Sequence, residues 1–371
     1  MKIETFLMER MQSTWENRVE YNLSESGVYP MYLGELLRES PEASEQLLRQ
    51  ELGYAQSNGS PELRQTIAEY YPGATQDHIL VTNGTSEANF LSIWNLIEPE
   101  DEVLMMLPNY MQIWGISRGF RGAVRPFHLR EEKKWHLDFK ELDQLATKRT
   151  KLIAVCNPNN PTGSILTEEE MQQLIDIARQ SDAWLLADEV YQGAEREAGR
   201  TSTFWGRYEK VIITNGLSKA YGLPGLRIGW IVAPPELIAR FWSYHDYTTI
   251  GPAMMSDVLA RIALSPDVRE RIRARTRRIL QNNYPIVSEW IQNHPQLFSM
   301  VEPDAGAIAY FRYNLPINST QLVERLLHEK SLLIVPGDHF GMDRYLRIGY
   351  GPPADYLKAA LNRMDELLTS L

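Results

Sequence analysis

Short apolar runs recur along the first two thirds of the chain, each ending on small or polar residues. Ile79 to Thr82, Glu102 to Leu107, residues 123–129 and 151–156, Trp184 to Ala187, Val211 to Thr214 and Ile228 to Val232 read as strands. Between them, apolar side chains fall at helical spacing: Phe90, Leu91, Trp94 and Leu96, then Phe139 to Ala146, then Thr167 to about Gln180. Ser60 followed by Pro61 predicts a helix start, cap then first turn, with Leu63, Ile67 and Tyr70 on one face. Upstream, Phe6, Leu7, Met11 and Trp15 predict a short amphipathic helix that packs on the body. A helical region from about Pro235 follows the strands, and the arginines of residues 267–283, interleaved with Asp267 and Glu270, predict a solvated helix linking two domains. The last part repeats the alternation on a smaller scale. It has a strand from Ala307 to Arg312, a helix from Ser319 to Glu329, a strand and turn from Leu332 to Gly337, and a strand from Tyr345 to Tyr350.

Composition narrows this picture. A chain of 371 residues, 43% hydrophobic and 23% charged, has ordinary globular make-up and room for two domains. Its net charge of −10 argues against a nucleic-acid partner, which needs a basic face. A single cysteine, Cys156, excludes an intrachain disulfide, and no Cys/His cluster suggests a metal. No apolar run is long enough for a bilayer and Met1 to Arg10 lack a signal-peptide core, so a soluble, cytoplasmic protein is expected.

Four places carry chemistry on local grounds. Asn83-Gly84-Thr85-Ser86 lies between a strand and a helix, where free backbone N–H groups and the helix dipole favour an anion, although an ordinary capped helix has the same pattern. No nucleotide P-loop or GxGxxG accompanies it, so the phosphate of ATP or NAD is not expected. Asp188 follows an apolar run at a strand end and needs a cation, because burial disfavours its charge. Arg347, between Leu346 and Ile348, needs an anion, and its fork suits a carboxylate. Lys219 sits in a Gly- and Pro-rich turn with Ser218 before it and Arg227 after it, and a lysine near an arginine is one route to a nucleophilic amine.

The stretch from Gly216 to Arg227, with Leu217-Ser218-Lys219, Gly222, Gly225 and Arg227, resembles the cofactor-lysine motif of class I/II aminotransferases of fold type I, the aspartate aminotransferase superfamily. Gly84-Thr85-Ser86, Asn157-Pro158-Asn159-Asn160-Pro161-Thr162-Gly163, Asp188 with Tyr191, and Pro336-Gly337 leading to Arg347 resemble that family's other motifs, in its order, from about residue 22 onward. The resemblance implies an α/β fold with a large domain, residues 31–250, built on a mostly parallel seven-stranded sheet between helices. Residues 1–30 and 251–371 would form a smaller α/β domain.

It also implies pyridoxal 5′-phosphate (PLP) as cofactor. Lys219 would carry it as a Schiff base. Gly84, Thr85, Ser86, Ser218 and Arg227 would hold its phosphate, and Tyr110 would stack on its ring. Asp188 would pair with the ring nitrogen, and Asn160 and Tyr191 with the phenolic oxygen. Arg347 and Asn160 would bind the substrate carboxylate, under a loop carrying Gly27 and Val28. Tyr54 would reach the phosphate of the neighbouring subunit in a homodimer. One departure stands out, since the family usually has a phosphate-touching serine where this chain has Gly216.

The implied activity is transfer of an amino group from an L-amino acid to a 2-oxo acid. The alternative is another PLP enzyme on the same scaffold, a β-lyase, a decarboxylase or a cyclase like capreomycidine synthase. A PLP-binding regulator is disfavoured by the intact catalytic set. Met31, Tyr32, Trp114 and Tyr247 are candidates to line the substrate pocket.

Overall fold

The computed structural model describes residues 2–38, 41–197 and 199–369. The first element is helix α1, Leu7–Trp15, shorter than the amphipathic stretch of the sequence. Seven strands of the main sheet follow: β1 (Ile79–Thr82), β2 (Glu102–Leu107), β3 (Ala123–Arg130), β4 (Thr150–Cys156), β5 (Trp184–Asp188), β6 (Val211–Gly216) and β7 (Gly229–Val232). Their order is β1-β7-β6-β5-β4-β2-β3, and β7 runs antiparallel to both its neighbours. A two-residue strand, His136–Leu137, adds an eighth, antiparallel edge beside β3 that the sequence patterns did not show.

A sheet buried on both faces explains why these strands read as continuous apolar runs rather than as alternating ones. Side chains still alternate between faces. Val81, Leu104, Ile153 and Ile213 enter one core. Their neighbours Leu80, Val103, Leu152 and Ile212 enter a second core on the opposite face. Truncating a fully buried member such as Ile153 to Ala would cost about 2–5 kcal/mol.

Helix α2, Thr85–Leu96, leaves β1 through Gly84, whose φ is 80°. The predicted start at Ser60 is present, with the Ser60 hydroxyl accepting from Leu63 N–H at 3.3 Å. Helix α3, Pro266–Gln292, carries the arginine run. That run is less solvated than expected: Arg275 donates to the Tyr29 carbonyl at 3.0 Å, and Arg269 lies 4.2 Å over the Tyr70 ring.

Beyond α3 an antiparallel sheet forms from β8 (Phe298–Met300), β9 (Ile308–Tyr313), β10 (Val335–Pro336) and β11 (Tyr345–Gly349), in the order β8-β9-β11-β10. Tyr21–Asn22 pairs in parallel with Leu332–Leu333, so the N-terminal segment is tied to the C-terminal part of the chain. No helix among the described residues is long and apolar enough to cross a membrane.

Candidate active site

Parallel strands deliver their carboxyl ends to one edge of the sheet, where ligands bind in open α/β folds. Here β5 ends on Asp188, β4 runs into Asn160, and β6 runs into Ser218 and Lys219. Together with α1, α2 and β11 they surround a cavity of about 290 Å³. Thr85, Ser86, Tyr110, Asn160, Asp188, Tyr191, Ser218, Lys219, Arg227 and Arg347 all line it.

The floor is Asp188. Its oxygens accept from Asn89 Nδ2 and from Val190 N–H, each at 3.1 Å. Burial still pushes its carboxyl up to about 6, because neither donor is a cation. Asn89 is fixed in turn, its Oδ1 accepting from the Thr214 hydroxyl at 2.7 Å. The sequence reading missed Asn89. It lies one helical turn after Thr85, so both face the same site.

The phosphate end is built from close backbone approaches. A Cβ on Gly229 would lie 2.4 Å from Thr85 N, and one on Gly84 would lie 2.4 Å from Arg227 Nη2. Glycine at both positions lets the first turn of α2 meet β7 and the arginine. The departure at Gly216 has a steric reason, because a Cβ there would stand 2.6 Å from Thr85 Oγ1. That hydroxyl is buried with no hydrogen-bond partner among the described residues. It does not cap the helix; Gly84 occupies the cap position.

On the opposite wall, Arg347 is 1% exposed. Its Nη1 donates to Asn160 Oδ1 at 2.9 Å, its Nη2 donates to the Ser24 carbonyl, and Phe340 lies 5.4 Å from the guanidinium. Its Nε has no partner among the described residues. Tyr191 OH donates to Ser26 Oγ at 2.7 Å, and burial pushes its phenol up. Tyr110 OH donates to Glu9 Oε1 at 2.8 Å, with Phe6 edge-on to its ring. Lys219 Nζ lies 3.9 Å from Glu25 Oε2.

Other candidates lie elsewhere. Gly27 and Val28 do not line the cavity; Ser26 and Glu25 do. Gly27 packs behind them, where a Cβ would lie 3.3 Å from the Ser218 carbonyl. Tyr54 is 97% exposed and, like Met31, Tyr32, Trp114 and Tyr247, is absent from the walls formed by its own chain. The sequence reading had α1 packing on the body and gave its polar face no role, yet Glu9, Gln12 and Glu16 line the cavity.

An uncompensated carboxylate on the floor, an idle hydroxyl at a helix N-terminus beside an arginine, and one lysine between them fit PLP. Its ring cation, phosphate and aldehyde match those groups in turn. Fold and site thus define a fold-type I PLP-dependent enzyme. The family model for aminotransferase class I and II matches residues 26–364, and the chain belongs to that family of PLP-dependent aminotransferases. A PLP-dependent aminotransferase from Streptococcus suis superposes with a TM-score of 0.93 at 31% identity, over 100% of this chain and 99% of the other. Capreomycidine synthase of Streptomyces vinaceus is 29% identical over 94% of this chain and 89% of its own length. The PLP-dependent cyclase OrfR superposes with a TM-score of 0.90 at 25% identity, covering 100% and 98% of the two chains.

Proposed function

We propose that this cavity binds an L-amino acid by its carboxylate and moves its α-proton with Lys219, so that the amino group passes to a 2-oxo acid. The observation that carries the reading is the buried pair Arg347 and Asn160 facing Lys219 across a cavity floored by Asp188. Thr85, Ser86, Ser218 and Arg227 would hold the phosphate of PLP, Tyr110 its ring face, Asp188 its ring nitrogen, Tyr191 and Asn160 its phenolic oxygen, and Lys219 its aldehyde carbon. Bound there, the cofactor supplies an electron sink for the pair left when a Cα–H bond breaks.

The chain's own residues do the rest. Arg347 takes the α-carboxylate with its free Nε edge, while Asn160 and Ser24 fix the guanidinium plane. This orientation sets which Cα bond faces Lys219. Lys219 Nζ would take the proton at Cα and deliver it to the cofactor's aldehyde carbon, on the far side of the amino nitrogen, base then acid. Asp188, desolvated and hydrogen-bonded, holds negative charge at the floor.

A second copy of the chain completes this reading. Leu48, Leu52, Tyr54 and Tyr247 are 88%, 79%, 97% and 82% exposed. A homodimer would cover them and bring Tyr54 to the partner's phosphate site. The free, buried Cys156 fits a reducing, cytoplasmic location. Light scattering tests the assembly, with a dimer expected and a monomer at micromolar concentration contradicting it.

The likeness to capreomycidine synthase and to a cyclase supports a second reading, ring closure of an amino acid on the same residues. One experiment separates them. The PLP-loaded protein is mixed with single L-amino acids without a 2-oxo acid, and visible absorbance and products are followed. Loss of the yellow colour with release of an equivalent of 2-oxo acid supports the aminotransferase. Retained colour with consumption of the amino acid and a cyclic product supports the cyclase. A protein that takes up no PLP overturns both.

A further inference from the structure

One group of cavity residues has no part in proton transfer or cofactor binding. Helix α1 turns Met8, Glu9 and Gln12 toward the cavity, and Glu16, its C-terminal cap, continues the same face. Glu25 joins them from the segment after Tyr21–Asn22. Three carboxylates therefore stand together on a wall of the substrate cavity.

Glu25 lies 3.9 Å from Lys219 Nζ and is half exposed. The other two have no cation: Glu9 accepts a neutral hydrogen bond from Tyr110, and among the described residues neither Glu9 nor Glu16 forms an ion pair. Burial, then the charges of Glu25 and Glu9, hold the Glu16 carboxyl above its usual range. The cations that line the cavity are Lys219, Arg227 and Arg347. In the reading above each has a task, at the cofactor, its phosphate and the substrate carboxylate. Among the described residues no further arginine lines the cavity to receive an acidic side chain. The unpartnered, buried Nε of Arg347 is an independent mark of a bound anion, and it anchors one end of the ligand. The other end then extends into an acidic wall.

We propose that the substrate is an amino acid with a positively charged side chain, guanidinium or ammonium, held by Glu9, Glu16 and Glu25. The assignment rests on the carboxylate role given to Arg347 above and deepens it to a substrate class. A half-buried site strengthens charge pairing over its value in water, and neighbouring carboxylates match the fork of a guanidinium. An acidic substrate meets repulsion on this wall. A neutral one leaves the half-buried Glu9 and Glu16 without a cation to face.

The test uses ligands that lack an α-amino group. δ-Guanidinovalerate carries a carboxylate and a guanidinium but no α-amino group, and δ-ureidovalerate is its neutral counterpart of the same shape. Both are titrated into the PLP-loaded enzyme by calorimetry, with ε-aminocaproate as the ammonium arm. At least one cationic ligand is expected to bind about tenfold or more tighter than the ureido compound. Which of them binds tighter separates guanidinium from ammonium. In a variant combining Glu9→Gln, Glu16→Gln and Glu25→Gln the preference collapses. Equal binding of the charged and neutral ligands by the unmodified enzyme overturns the inference and leaves Arg347 in place. Failure of all three to bind, with amino acids likewise inert, overturns the reading of the site on which it stands.

Discussion

Arg347 Nη1 and Asn160 Oδ1 meet at 2.9 Å although 187 positions separate them in the chain. The contact joins β11 of the small sheet to the turn after β4 of the large one. It occupies one edge of the guanidinium and leaves Nε for a ligand. A lysine cannot keep Asn160, the Ser24 carbonyl and a carboxylate at once. Arg347→Lys is therefore expected to raise KM for the amino donor by about tenfold to a hundredfold, with a smaller fall in kcat. Steady-state kinetics at saturating oxo acid measure the split, and an unchanged KM would place the carboxylate elsewhere.

Among the described residues Lys219 is the only lysine on the cavity wall, so no second amine stands ready to replace it as base. Lys219→Ala should lower turnover by about 10²–10⁴-fold or more, the usual worth of a positioned acid–base group. Stopped-flow measurement with a single amino acid reads the half-reaction directly. Turnover within tenfold of the unmodified enzyme would remove Lys219 from the chemistry.

Much of this site was legible because its residues stand at strand ends, where a polar side chain after an apolar run is conspicuous. Asp188 after Ala187 is such a case, and Arg347 stands out in another way, as a charge inside an apolar strand between Leu346 and Ile348. The N-terminal helix was not legible in the same way. Its pattern separates an apolar from a polar face, but no pattern says whether the polar face meets water or a cavity. Helices Met254–Leu264 and Ala354–Leu368 went unassigned for a different reason. Leu357, Ala360, Leu361, Met364 and Leu367 have helical spacing, yet Ala253 and Pro353 at the two cap positions offer no side-chain cap to mark a start. Gly216 read as a weakness, since the space Thr85 Oγ1 takes from a side chain there appears only in three dimensions.

The floor carboxylate gives a pH signature to the cofactor-free protein. Burial raises Asp188 from 3.8 to about 6, so between those values the folded chain holds a proton that the unfolded chain has lost. Its stabilising contribution is complete below about pH 4 and is lost as pH rises through 6. Asp188→Asn has no such proton. The stability of the unmodified protein minus that of the variant should fall by about 2 kcal/mol from pH 4 to pH 7. Burial pushes the neighbouring Glu189 up to about 7 in both proteins, so the difference removes all of its share except the part that the Asp188 charge adds. Urea titrations across this range measure it, and PLP should flatten the curve by supplying the missing cation. A difference independent of pH would mean that Asp188 is already compensated.

Gly84 tests the phosphate end by coupling rather than by loss alone. Its φ of 80° is strained for any L side chain, and a Cβ would stand 2.4 Å from Arg227 Nη2. The guanidinium is the movable partner, so Gly84→Ala should displace Arg227 and unfold nothing larger. PLP affinity is expected to fall by about tenfold or more, the worth of one charged hydrogen bond. Arg227→Ala should lose a similar amount. Because both substitutions remove the same contact, the double variant should bind PLP about as well as Arg227→Ala alone. Fluorescence titration of the four proteins completes the cycle. Additive losses would show that Gly84 acts on the phosphate through the helix N-terminus, independently of Arg227.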